Sequence, residues 1–217
     1  MHRSTLSLLL LAPLALSAPS LLSAQPLPRW YLGAGLGQGE AEVIGHDRSQ
    51  QVFQQLSAAG FQPGNIMGSE QDDTDSWKLY GGYRFTPWLA AELSYHDLGH
   101  TTGLFAANLN GSASLTQGRL RSEYQAVAAA MVGQWQVIKP LALFVKGGLH
   151  HWQHQFELKG EQVNINHTDS GNGYLYGAGV QFSLWQAASL KVEWERLADI
   201  EDEDGLDVKT LSLEWAF

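Results

Sequence analysis

The chain has 217 residues, which is enough for one barrel or sandwich domain but not comfortably for two. It contains no cysteine, and this excludes a disulfide framework and a lipid-modified N-terminal cysteine. Asp and Glu outnumber Lys and Arg by 22 to 13, and this acidic balance argues against nucleic acid as a partner.

Residues 1–24 are typical of a secretory signal peptide. One positive charge at Arg3 precedes an apolar stretch, and small residues lie next to Ala24. The stretch is short for a spanning helix and contains two prolines, so we expect cleavage after Ala24 rather than a retained anchor. Residues 25–217 then form the mature domain, whose net charge is −10 once Arg3 is removed.

Eight segments of the mature chain alternate apolar and polar side chains. In the first, Trp30, Leu32 and Ala34 share one face, and Tyr31 and Gly33 share the other. A period of two is typical of a β-strand, and each segment approaches the roughly 9–11 residues of a tilted membrane-spanning strand. The segments are 30–37, 77–85, 89–96, 127–137, 141–150, 176–184, 190–195 and 210–217.

The connections between these segments alternate in length. Short ones fall at 86–88, 138–140 and 185–189; long ones fall at 38–76, 97–122 and 155–173, with a shorter one at 199–207. Short periplasmic turns and long outer loops are typical of outer-membrane barrels. The sequence therefore predicts an all-β fold, an eight-stranded antiparallel up-and-down transmembrane β-barrel with both termini on the periplasmic side.

Alternation alone does not say which face is apolar, since a soluble ligand-binding barrel hides that face inside. Two features favour an apolar outer wall. Charged residues on the polar face are interleaved with Gly and Ala, which suits a narrow lumen packed with ion pairs. Aromatic residues on the other face lie near strand ends, as at the two membrane interfaces. These are Trp30, Trp77, Phe85, Trp88, Trp135, Trp185, Trp215 and Phe217.

Three stretches resemble strands of the OmpA-like transmembrane domain. Residues 80–99, YGGYRFTPWLAAELSYHDLG, resemble its second hairpin; residues 30–37, WYLGAGLG, its first strand; and residues 173–182, GYLYGAGVQF, its sixth. The C-terminal LSLEWAF is similar to the outer-membrane assembly signal, carried by Leu211, Leu213, Trp215 and Phe217. The resemblance implies insertion by the barrel-assembly machinery, and we expect no peptidoglycan-binding domain beside the barrel.

The resemblance also implies a charged gate across the lumen. Glu92, Lys146 and Lys191 fall where acid and base partners of that gate are expected. Gln181 falls where the family often has a second acid, so Glu193 or Glu214 would have to substitute. The expected lumenal charge network comprises Lys78, Arg84, Glu92, Lys146, Gln181, Lys191, Glu193 and Glu214.

Two groups of residues could suggest a metal site or a catalytic site. His150 and His154 lie roughly 13 Å apart along a strand, and His151 points to the opposite face, so we expect rim histidines and no metal site. Ser94 and His96 share the lumenal face, as a nucleophile and base would in a lipid-modifying barrel enzyme. An enclosed lumen would keep such a pair away from lipid tails.

Two outer segments have alternative interpretations. Residues 201–207, EDEDGLD, do not fit the EF-hand pattern and suggest a solvated hairpin tip, or loose divalent binding beside lipopolysaccharide. Residues 49–60 predict a short helix that ends at Gly60. It would either rest on the membrane, plug the barrel mouth or form an ordinary loop turn.

We therefore expect a monomeric outer-membrane barrel without enzymatic activity or cofactor. Its role would be structural or surface-interacting, through long outer loops whose partner the residues do not identify. The alternative is a narrow gated pore, although the interior of an eight-stranded barrel is just filled by side chains. A lipid-modifying enzyme is the third possibility. The expected partners are outer-membrane lipid, lipopolysaccharide and the assembly machinery, with no nucleic acid.

Overall fold

The computed structural model describes residues 29–41, 53, 56–58, 60, 62–73, 75–109, 115–160, 164–200 and 205–217. The signal peptide expected at residues 1–24 lies outside these residues, as do residues 201–204 of the acidic segment 201–207.

The described residues form nine β-strands. Most are longer than the predicted segments, and each predicted segment falls mainly within one of them. Their bounds are β1 Trp30–Ala41, β2 Pro63–Asp73, β3 Asp75–Thr86, β4 Leu89–Leu109, β5 Leu115–Ile138, β6 Leu141–Gly160, β7 Asn164–Ser183, β8 Ala188–Leu197 and β9 Leu206–Ala216.

Eight of the strands close into an antiparallel ring. The order around it is β3, β1, β9, β8, β7, β6, β5 and β4, and β4 pairs back onto β3. The first and last strands join from Tyr31 opposite Ala216 to Ala41 opposite Leu206. In lipid every backbone polar group needs an internal partner, so this closure removes both sheet edges. The predicted eight-stranded up-and-down barrel is confirmed.

The side chains sort onto the two faces as predicted, with the apolar face outward. Leu36 is 75 % exposed and Leu149 is 61 % exposed. On the opposite face Lys78 is 2 % exposed and Glu195 is fully buried. An apolar exterior around a charged interior is the reverse of a soluble barrel and fits a wall that contacts lipid.

The predicted long loops are wrong over much of their length, because the strands continue past the membrane. β4 extends to Leu109 and β5 begins at Leu115, while β6 extends to Gly160 and β7 begins at Asn164. β2, inside the predicted loop 38–76, pairs with the outer half of β4. The outer part of β6 escaped the sequence pattern because its outward face is polar rather than apolar.

β6 shows where the membrane wall ends. Its outward face reads Leu141, Leu143, Val145, Gly147 and Leu149, and then His151, Gln153, Gln155, Glu157 and Lys159. Its inward face changes from charged to apolar, from Lys146 to buried Trp152, Phe156 and Leu158. The outer tier of the sheet therefore has the polarity of a soluble protein.

The short predicted turns are present. Residues 87–88, 139–140 and 184–187 connect β3 to β4, β5 to β6 and β7 to β8, and the Lys139–Pro140 peptide bond is cis. In the predicted helix, residues 53 and 56–58 are helical, and Gly60 adopts a φ of 87° after it. Leu56 of that helix is fully buried. Among the described residues no helix has the length and apolarity needed to span a membrane.

Candidate functional site

The charged side chains of the lumen come from five strands. β3 contributes Lys78 and Arg84, β4 Glu92, and β6 Lys146. Each lies on the inward parity of its strand, which is why chain-distant residues meet across a narrow interior. β8 and β9 contribute the others, Lys191, Glu193, Glu195 and Glu214.

Glu92 lies at the centre of this network, between two lysines. Its Oε1 is 3.3 Å from the Nζ of Lys146, and its Oε2 is 3.5 Å from the Nζ of Lys191. The hydroxyl of Tyr31 donates a hydrogen bond of 3.2 Å to Oε2. A buried carboxylate needs such partners, since an unpaired buried charge is strongly destabilising.

Toward the outer mouth, two lysines share two glutamates. The Nζ of Lys146 lies 2.8 Å from Oε1 of Glu193 and also contacts Glu195. The Nζ of Lys78 lies 2.6 Å from Oε2 of Glu195 and contacts Glu193. All four side chains are at most 2 % exposed. This part of the network is therefore buried and closely packed.

Toward the periplasm, Glu214 organises the network. Its carboxylate lies 2.5 Å from Arg84 and 3.6 Å from the Nζ of Lys191. The side-chain amide of Gln181 donates a hydrogen bond of 3.3 Å to the same carboxylate. Gln181 is thus a neutral neighbour of Glu214. Glu214 provides the acidic side chain that the family often has at the position of Gln181.

These contacts link four cations and four carboxylates into one continuous chain. All the charged residues expected from the sequence belong to it. Glu195 also belongs to it, although it was missing from the expected set. The available signal was its position, two residues after Glu193 on the same face of β8.

An apolar layer closes the lumen above the charges. Leu98, Leu175, Leu197 and Ile200 belong to one buried cluster with Trp152. The indole nitrogen of Trp152 donates to the carbonyl oxygen of Asp199 at 3.1 Å. His150 Nε2 lies 2.8 Å from the carbonyl oxygen of Ala198. These bonds hold the segment after β8 over the barrel mouth; we call this segment, residues 198–200, the cap.

The other candidate residues occupy separate places. Ser94 Oγ lies 2.9 Å from His96 Nε2 in the buried lumen, but His96 Nδ1 has no hydrogen-bond partner in the described part of the chain. His150 and His154 face inward, and His151 faces outward. The described residues contain no group of three or more potential metal ligands.

The residues of the expected assembly signal lie on the lipid-facing wall of β9. Leu211, Leu213, Trp215 and Phe217 are each more than half exposed. The backbone N–H of Phe217 donates to the carbonyl oxygen of Trp30 at 2.9 Å, so Phe217 takes part in the closure of the ring.

The sequence matches the model of the family described as "Outer membrane protein beta-barrel domain" over residues 6–217. No curated protein gives a significant match. Among solved structures, the chain is similar to the outer-membrane protein OprG of Pseudomonas aeruginosa, with a TM-score of 0.52, 7% identity, and coverage of 88% of this chain and 96% of that one. Neisserial surface protein A gives a TM-score of 0.51, 11% identity, and coverage of 87% and 97%.

A third similar structure is Ail, the attachment invasion locus protein of Yersinia pestis. Its TM-score is 0.48 at 15% identity, with coverage of 88% of this chain and 99% of that one. At such identities the likeness of OprG and the neisserial protein concerns the fold, which is that of small outer-membrane barrels.

Proposed function

The chain belongs to the outer-membrane β-barrel family, and from that premise we propose that it is a non-enzymatic surface-interaction protein whose closed barrel holds a rigid β-sheet platform above the outer membrane. The platform is the outer tier of β2, β4, β5, β6 and β7, residues 63–73, 100–109, 115–125, 151–160 and 164–173.

The observation that carries this proposal is the continuous pairing of β5, β6 and β7 above the lipid-facing wall. β5 and β6 pair from Gly118 opposite Gly160 down to the periplasmic turn, and the register shifts only beside that turn. β6 and β7 pair without a register shift. A paired sheet presents its side chains in fixed positions, so a partner loses less entropy on binding than it would with mobile loops.

The lumen supports an anchoring role rather than transport. Its charges neutralise one another, and the apolar cluster lies above them. Ser94 and His96 are equally unsuited to catalysis, because no acid among the described residues bonds to the histidine and the pair is enclosed.

Cell binding tests the proposal directly. In one variant a short Gly-containing turn replaces residues 102–120, and in another it replaces residues 155–169. Heat-modifiability on gels checks that both barrels assemble in the outer membrane at wild-type levels. We expect bacteria carrying either trimmed protein to lose adhesion to cultured cells. Undiminished adhesion at equal surface levels would refute the proposal.

A narrow gated pore is the second candidate, favoured by the continuous charged chain through the lumen. A pore requires the ion pairs to exchange partners and admit water. Single-channel recording in planar bilayers separates the two candidates. We expect the wild-type protein to give no current steps, whereas regular opening and closing would favour the pore.

A further inference from the structure

The outward face of the platform contains a polar groove. It has a volume of about 360 Å³, at the lower end of the roughly 300–1,000 Å³ of small-molecule sites. The paired backbone of Phe156 and His167 forms its floor. Six side chains form its walls: Arg121, Glu123, Gln155, Glu157, Asn166 and Thr168.

The walls are two rows of the sheet. Glu123, Gln155 and Thr168 lie opposite one another on β5, β6 and β7, and Arg121, Glu157 and Asn166 form the next row. Because neighbouring strands are about 4.8 Å apart, each row presents its polar groups at a regular spacing. The groove is therefore preformed by strand pairing.

The direction of the groove follows from strand parity. Gln155 and Glu157 share the outward face of β6 with Val145 and Leu149, which contact lipid. The groove thus opens sideways, over the membrane plane, and the outward residues His151 and Gln153 lie between it and the lipid-contact surface. Gln155 lies six residues beyond Leu149, roughly 20 Å along the strand. What surrounds this level in an outer membrane is the headgroup layer of the neighbouring lipids.

The chemistry of the walls selects the kind of headgroup. Amides, a hydroxyl and carboxylates offer both donors and acceptors, as sugar hydroxyls require. The single cation, Arg121, is already paired with Glu123 at 2.6 Å, which disfavours a phosphate. No apolar side chain projects from the two rows, which disfavours an acyl chain.

We propose that this groove binds the hydroxyl groups of the oligosaccharide of outer-leaflet lipopolysaccharide. The inference rests on the proposed function in one respect, that the platform lies on the outer side of the membrane. Binding of the surrounding glycolipid would fix the platform at a constant height and orientation.

The test uses the folded wild-type protein in detergent and core oligosaccharide released from lipopolysaccharide by mild acid, with binding measured by calorimetry. A groove variant combines Gln155→Ala, Asn166→Ala and Thr168→Ala. A control variant combines Gln125→Ala, Gln153→Ala and Ser170→Ala, the row directly below the groove on the same face.

We expect the groove variant to bind at least about ten-fold more weakly, because each hydrogen bond contributes a factor of about two to twelve. The control variant should retain wild-type affinity. In vesicles, complete lipopolysaccharide should raise the unfolding temperature of the wild-type protein above that in lipid A vesicles, and the groove variant should lose this difference. Absence of wild-type binding, or equal loss in both variants, would overturn the assignment. Because no partner cell is involved, failure here leaves the adhesion test unaffected.

Discussion

Lys146 on β6 and Glu195 on β8 form an ion pair across the lumen, with β7 between their strands. Lys78 lies 2.6 Å from the same carboxylate, so Glu195 contacts two cations at once. Because all three side chains are buried, the pairs stabilise the barrel only as a complete set.

Replacing Glu195 should therefore be costly. Glu195→Gln keeps the shape but leaves Lys78 with Glu193, and Lys146 with Glu193 and Glu92. We expect the free energy of unfolding to fall by about 3–5 kcal/mol, the usual cost of breaking a buried pair. Urea unfolding in lipid vesicles measures this change.

The control is the exposed pair of Arg121 and Glu123 on the platform. Glu123→Gln should change the free energy of unfolding by at most about 1 kcal/mol. A double variant, Lys78→Met with Glu195→Gln, removes one charge of each sign and should recover much of the loss. Equal effects of Glu195→Gln and Glu123→Gln would show that the lumenal charges are not coupled.

Two adjacent glycines on β6 allow a second, sterically matched prediction. A Cβ on Gly148 would overlap the carbonyl oxygen of Ala129 on β5, whereas a Cβ on Gly147 would come no nearer than 4.0 Å to any neighbouring atom. Gly148→Ala should therefore separate β5 from β6 and reduce the folded, heat-modifiable form. Gly147→Ala should assemble normally; a matching loss in both variants would contradict this explanation.

The ring and the orientation of its faces could be predicted from sequence because lipid imposes a strict period of two on spanning strands. Leu141, Leu143 and Val145 show that period plainly. Beyond Leu149 the same strand continues, but its outward side chains are polar and its inward ones are largely apolar. In a sequence, such a pattern resembles a polar loop. The platform was missed for this reason, although its backbone pairing is continuous.

The partners within the site were less predictable. Parity placed Lys78 and Glu193 on the inward face, but only the tilt and register of the strands decide which cation meets which acid. The cap depends on that geometry. His150 and Trp152 are hydrogen-bonded to backbone carbonyl oxygens of the cap. Every residue has such an oxygen, so the sequence does not indicate which ones are bonded.

The end of the lipid-facing wall on β6 gives a third prediction. Val145 lies in the middle of the apolar outward run, and His151 lies two residues beyond its last member. Val145→Arg should lower the free energy of unfolding by about 2–4 kcal/mol in vesicles, and His151→Arg by about 0–1 kcal/mol. Equal costs would place the membrane boundary elsewhere on the strand.

The cap gives the last prediction. The backbone N–H of Ala198 donates to the carbonyl oxygen of Tyr174 at 2.8 Å, and the indole of Trp152 holds the next residue, Asp199, at 3.1 Å. Trp152→Phe keeps an aromatic ring in the apolar cluster but removes the N–H donor. Losing one such bond costs about 0.5–1.5 kcal/mol, so hydrogen exchange of the Ala198 amide should become about two- to twelve-fold faster. Gln153→Ala, on the exposed outward face of the same strand, should leave that rate unchanged. If Trp152→Phe also left it unchanged, the indole bond would not hold the cap in place, and packing around Ile200 would be sufficient.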